Sequence, residues 1–176
     1  MRGCSVLYIP ALVAIALFSI PVDAFELTSP AFEANALMPV RFTCDGEDFS
    51  PPLVWQTPAG NVKSYALICD DPDAPVGNWV HWVMYNIPAG RTRLAQGLAK
   101  KGSLEGGIKQ GRNDFGRTGY GGPCPPPGPA HRYFFKLFAL NTVLTLENPT
   151  KSRLEKAMAG HIVAQAELVG RYRRKK

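Results

Sequence analysis

Between Lys101 and Ala130 the chain places nine glycines and five prolines in thirty residues, so no helix or strand of any length can run through that stretch. The segment has to cross the fold as one long loop, and loops of that length in compact proteins often carry function. Over the whole chain, 17 Gly and 16 Pro argue against a helical bundle and for short strands joined by tight turns. A 45% hydrophobic content, with nine Phe, six Tyr and three Trp, supplies enough apolar surface to offset the entropy of ordering. Wholesale disorder is thereby excluded.

The first 24 residues stand apart. Arg2 makes a short positive start, residues 6–20 form an apolar run interrupted by Pro10, and Val22-Asp23-Ala24 sets small or branched residues before a cut. The pattern predicts a secretory signal peptide, 1–24, and a mature chain of residues 25–176 in the periplasm or secreted space. The run is shorter than the ~20 residues a spanning helix needs. Losing Arg2 and Asp23 together leaves the net charge at +6. Much of that excess lies in a basic tail, 171–176, where Arg171, Arg173, Arg174, Lys175 and Lys176 surround Tyr172. Such a tail is either a solvated terminus or an attraction for anionic membrane. No basic-aromatic motif points to nucleic acid, and export removes the chain from most of it.

Periodicity predicts a mainly β fold. Alternation marks strands at 25–28 and 40–43, and apolar runs mark others at 53–55, 64–69 and 80–87. Beyond the long loop, His131, Tyr133, Phe135 and Leu137 share one strand face, and Arg132, Phe134, Lys136 and Phe138 the other. One helix is expected over 150–159, with Leu154, Ala157 and Met158 on its apolar side and Gly160 as its cap, followed by a last strand over 162–168.

Three cysteines follow the cut. Cys69 ends an apolar run and reads as an inert buried thiol. Cys44 and Cys124 sit in polar, turn-rich loops of an exported chain and are the candidate disulfide; the alternative left open is that both stay reduced.

The chemistry-bearing residues are few. His81 lies in an apolar strand where its ring needs a partner, and ten residues earlier Asp70, Asp71 and Asp73 share a turn built by Pro72 and Pro75. His131 opens the strand after the long loop. A turn joining the two central strands brings the carboxylates and imidazoles to one sheet edge. Spacing alone leaves structural capping and a shared pocket both open. No CxxC pair or diagnostic His/Asp spacing calls for a metal, no GxSxG is present, and no cofactor is implied.

Ordered motifs go further. Asp71-Pro72-Asp73-Ala74-Pro75, Trp79-Val80-His81-Trp82, the run Gly119 to Gly128 and His131-Arg132-Tyr133 resemble the signature stretches of the phosphatidylethanolamine-binding protein family, in its bacterial, Raf-kinase-inhibitor-like branch. Ser50 to Trp55 and Gly111 to Gly116 fit the same branch. The resemblance implies a large central sheet packed with a smaller sheet and few peripheral helices. It also implies a small anion pocket for phosphate-like or phospholipid head-group ligands. Carried over by position, that pocket would comprise Asp71, Asp73, Pro75, Trp79, His81, Gly121, Gly122, Cys124, Pro125, Pro126, His131 and Tyr133. Gly121 and Gly122 are expected to aim backbone amides at the anion, Asp71 to orient a histidine, and Asp73 to cap its turn. His161 is assigned to the framework. The expected function is non-enzymatic binding. A protease inhibitor or signalling modulator working through a protein surface is the alternative, and a His/Asp hydrolase a second one. Export places cytosolic kinases out of reach.

Overall fold

The computed structural model describes residues 25–174; the expected signal peptide, 1–24, and the last two residues of the basic tail lie outside the described residues. Two antiparallel sheets form the body. The larger runs in the order β6-β4-β3-β7-β8, from β3 (Ser64–Asp71), β4 (Trp79–Pro88), β6 (Lys109–Gln110), β7 (His131–Leu140) and β8 (Ile162–Tyr172). The smaller runs β1-β2-β5, from β1 (Leu27–Thr28), β2 (Leu53–Trp55) and β5 (Arg93–Leu94). Among the described residues a single α-helix, α1 (Lys151–Met158), packs on the large sheet. This is the mainly β, two-sheet plan expected from the sequence.

The burial pattern explains the sequence pattern. Between the sheets, Tyr65, Leu67, Cys69, Trp82, Met84, Tyr133, Phe135 and Leu137 meet Leu27, Leu53, Trp55 and Leu94. On the opposite face, Ala66, Ile68, Val80, Val83 and Tyr85 are covered by Leu154 and Met158 of α1. With both faces covered, every residue of β3 is buried, so that strand reads as a continuous run rather than an alternation. β7 is covered unevenly and alternates. Full burial of Leu154 and Met158 contributes about 1.5–3 kcal/mol each, which is what holds so short a helix in place. Gly160 follows the helix at φ 78°, as a cap requires. Cys69 is a free, buried thiol whose ionisation burial pushes far up, consistent with an inert side chain.

One expected strand is not there. Residues 40–43 form a 3₁₀ turn, Val40–Phe42, with Phe42 N–H donating to Pro39 O at 3.0 Å and Thr43 N–H to Val40 O at 2.9 Å. Phe42 and Thr43 are buried but no strand lies alongside, so the backbone satisfies itself locally. The long loop contains two brief regular pieces, β6 and a 3₁₀ turn at Glu105–Gly107, neither longer than three residues.

The Asp70-Asp71 pair divides between the two faces. Asp70 is fully buried, with Lys136 Nζ at 3.0 Å, Lys151 Nζ in contact, and the Asn78 amide at 3.1 Å. Burial alone would raise its ionisation, but the bonds from Lys151, Lys136 and Asn78 outweigh it and hold the carboxyl below its usual range. Asp70 thus ties α1 to the sheet and takes no part in the site on the other face.

Candidate functional site

The antiparallel order brings three strand ends to one edge. β3 ends at Asp71, which pairs with Trp79 at the start of β4, and β7 starts at His131 beside it. His131 also pairs with Tyr172 near the end of β8. The long loop returns over this edge, with Asp114 N–H donating to Val80 O at 3.0 Å and Asp114 Oδ2 accepting Val80 N–H at 2.7 Å.

His81 reaches the site through a break in register. Cys69 lies opposite Trp82 and Asp70 opposite Val80, so one step on β3 is matched by two on β4 and His81 is the extra residue of a β-bulge. Val83 and Tyr85 belong to the core under α1, and strict alternation would have sent His81 there too. The bulge turns it to the inner face, where its ring meets Tyr133 edge-on at 5.1 Å and Phe115 at 5.3 Å.

Asp71, Pro75, Trp79, His81, Cys124, Pro125, Pro126 and His131, all expected, line one cavity of about 210 Å³. Ala74, Val76 and Phe115 complete it, and these the sequence reading had not assigned. Phe115 stands edge-on to Trp79 at 5.4 Å and lies against Gly121. The walls are apolar and the two imidazoles and one carboxylate supply the polarity. Asp71 orients His131 as expected, its Oδ2 accepting from Nδ1 at 2.8 Å, and both side chains are buried. His81 Nδ1 donates to Gly121 O at 2.6 Å. Carbonyl and carboxylate oxygens only accept, so Nδ1 carries the proton in each ring and Nε2 of the neutral ring bears a lone pair. Burial holds His81 below the ordinary histidine value, with the Gly121 bond and Asp71 opposing it.

Four expected residues lie outside the lining. The amides of Gly121 and Gly122 do not point into the cavity: Gly121 N–H donates to His81 O at 3.0 Å and Gly122 N–H to Asp48 Oδ1 at 2.6 Å. What the fold needs from these positions is close approach. A Cβ on Gly121 would stand 2.6 Å from the Phe115 ring, and one on Gly122 2.8 Å from Thr43 Cα. Asp73 binds Arg132, accepting from its backbone N–H at 2.9 Å and from Nη2 at 2.7 Å; these bonds lower its ionisation to about 2. Tyr133 is buried behind His81, and burial followed by the Asp71 charge pushes its phenol far up. His161 is exposed at the start of β8, bonded to Asn141 Oδ1 at 3.0 Å and remote from the site.

The cavity rim is tied down covalently. Cys44 and Cys124 form a disulfide, with Cα atoms 5.4 Å apart, and Cys44 N–H donates to Pro123 O at 3.0 Å. Among the described residues no group of three His, Cys, Asp or Glu is placed to hold a metal ion.

These features match known proteins. The family model described as phosphatidylethanolamine-binding protein matches residues 28–173. A UPF0098 protein of Methanothermobacter thermautotrophicus is 52% identical over 150 residues, 85% of this chain and 99% of the relative. A UPF0098 protein of Aquifex aeolicus is 47% identical, covering 90% of this chain and 94% of the relative. Among solved structures, a phosphatidylethanolamine-binding protein homologue from Chlamydia trachomatis superposes with TM-score 0.80 at 40% identity, over 87% of this chain and 99% of the other. Escherichia coli YBCL, a member of the mammalian phosphatidylethanolamine-binding protein family, gives TM-score 0.79 at 34% identity, over 86% of this chain and 99% of that one. The motifs, the two-sheet fold and the strand-end cavity meet in one conclusion: the chain belongs to the phosphatidylethanolamine-binding protein family.

Proposed function

We propose that this is an exported, non-enzymatic binding protein whose strand-end cavity takes a small phosphate-like group, free or as a phospholipid head group. The observation that carries the reading is the pairing of His81 with the Asp71-held His131 in an otherwise apolar cavity of about 210 Å³. That volume lies below the ~300 Å³ at which pockets for drug-sized ligands begin, so it suits a head group rather than a whole lipid.

The proton arrangement defines the ligand chemistry. A ring whose Nδ1 proton is engaged offers, when neutral, only a lone pair at Nε2, which repels a fully ionised oxyanion. Binding therefore needs one proton between ligand and rings, either as an imidazolium or as a protonated phosphate oxygen. Binding rather than turnover is supported by the engagement of the Gly121 and Gly122 amides, the donors the sequence suggested for an anion, in hydrogen bonds within the fold.

The test is thermal. With phosphoethanolamine at a hundredfold excess over its dissociation constant, linkage stabilises by about 2.7 kcal/mol, or about 5–10 °C for a fold of this size. His131→Ala should remove the shift while leaving the far-ultraviolet spectrum unchanged. A shift that persists in His131→Ala, or none with either phosphoethanolamine or inorganic phosphate, rejects the reading.

A further inference from the structure

We infer that the ridge of Leu37 and Val40, flanked by Arg171 and Arg173, is a docking surface for an anionic lipid bilayer. Leu37 and Val40 are 56% and 51% exposed. Neither exposure comes from a loose end, because the segment is bound to the last turns of β8. Leu37 bridges Arg171 in parallel, Met38 N–H donates to Arg171 O at 2.8 Å, and Arg171 N–H donates to Ala36 O at 2.9 Å. Met38 points inward and is buried over Gly170, where any Cβ would meet its sulfur at 2.6 Å. Its neighbour Leu37 is thereby turned outward.

Two grooves, of about 370 and 280 Å³, lie beside this ridge and share Leu37 and Arg173 as their common wall. The apolar side chain therefore projects between them. Arg171 in β8 and Arg173 just past its end are both exposed, on either side of the buried Tyr172. Neither appears in an ion pair among the described residues. Of the nearby acids, Asp45 is engaged by Arg174 at 2.8 Å and by the Tyr172 hydroxyl at 2.7 Å, and Glu47 stands 3.7 Å from Arg41. Glu33, in the turn leading to the ridge, forms no ion pair among the described residues. Lys175 and Lys176 follow in sequence, on a chain of net charge +6.

Projecting aliphatic side chains bracketed by unpaired guanidinium groups fit the boundary between head groups and acyl chains. There the apolar part is buried and the cations face anionic lipid, and the two contributions act together where either alone is marginal. This surface is separate from the cavity and its occupancy does not depend on what the cavity binds.

The experiment is vesicle co-sedimentation with the chain from Phe25 onward. That span contains the whole family match, residues 28–173, and every strand of both sheets. Vesicles of mixed phosphatidylglycerol and phosphatidylcholine should retain the protein, vesicles of phosphatidylcholine alone should not, and high salt should release it. Arg171→Gln and Arg173→Gln should each weaken binding about fivefold. Leu37→Ser with Val40→Ser, which leaves the charge unchanged, should weaken it by roughly tenfold or more. All four positions are exposed, and a matching thermal transition checks that each variant is folded. Equal retention on both vesicle types overturns the inference, as does loss only when Lys175 and Lys176 are both changed to Gln. No retention on either type also overturns it and directs the search to an acidic protein surface.

Discussion

Changing Cys44 and Cys124 together to serine opens a covalent loop spanning 80 residues. In the chain-entropy account, closing a loop of that length removes about 4.5 kcal/mol of conformational freedom from the unfolded chain. The folded state should survive the change, because the two segments are also joined by Cys44 N–H to Pro123 O and by Gly122 N–H to Asp48 Oδ1. The loss therefore arises almost entirely in the unfolded ensemble and should lie near the entropic value. Against a total of about 5–15 kcal/mol for an ordinary domain this is a large share. With a urea slope of about 2 kcal/mol/M, the midpoint should fall by about 2 M, and the slope should rise because the unfolded chain without the crosslink is more expanded. A fall below about half a molar would refute the reasoning. So would thiol titration of the unfolded, unreduced chain from Phe25 that finds three thiols rather than Cys69 alone.

Other perturbations test the site and its charges. Gly121→Ala should push the Phe115 ring into the cavity, cost about 1–3 kcal/mol by overpacking and abolish the phosphoethanolamine-dependent thermal shift; a retained shift would show that the ring has room elsewhere. Asp73 ionises near 2 in the fold, below its ordinary 3.8, so its stabilisation is complete above the unfolded value and is lost as pH falls through about 2. Asp73→Asn should accordingly cost about 1 kcal/mol at neutral pH, after allowing for solvent screening of the exposed Arg132 partner, and should flatten the acid limb of stability below pH 4. His81 has the opposite origin but the same sign: burial lowers its ionisation, the unfolded chain takes up the proton first, and stability declines as pH falls below the ordinary 6.5. His81→Gln should remove that decline; a wild-type stability constant from pH 7 down to pH 5 would contradict the burial argument.

Much of this architecture was legible in the sequence. The runs that became β3, β4 and β7 were readable because their residues are committed to two covered faces or to a clean alternation. Leu154, Met158 and Gly160 marked the helix in the same way. The turn Asp71 to Pro75 and the histidines at 81 and 131 could be placed at one sheet edge, because a hairpin and its antiparallel neighbour must bring those ends together, but spacing left a pocket and mere capping both open and only the family resemblance pointed to the pocket. Three features were not legible. The bulge at His81 is a register event between two strands, invisible to the periodicity of either one. The turn at Val40–Phe42 looked like a strand because apolar Val40 and Phe42 alternating with polar Arg41 and Thr43 satisfy a two-residue period as well as a 3₁₀ turn. Gly121 and Gly122 suggested free amides, whereas what the fold requires from them is room for the Phe115 ring and the Thr43 backbone. Phe115 itself gave no periodic signal inside the glycine-rich loop, though its place in the Gly111 to Gly116 stretch could have pointed to it.

The proton requirement of the cavity is the claim on which the functional reading turns, and calorimetric titration of phosphoethanolamine in buffers of different ionisation heat measures it directly. With both Nδ1 atoms engaged, the complex must hold about one proton more than the separated partners on the alkaline side. Affinity should therefore fall roughly tenfold per pH unit toward about pH 8, with a proton taken up from the buffer for each ligand bound. His131→Gln should abolish both the heat and the uptake. An affinity that stays level between about pH 5 and pH 8 with no proton uptake would contradict the account, leaving the two imidazoles as parts of the framework.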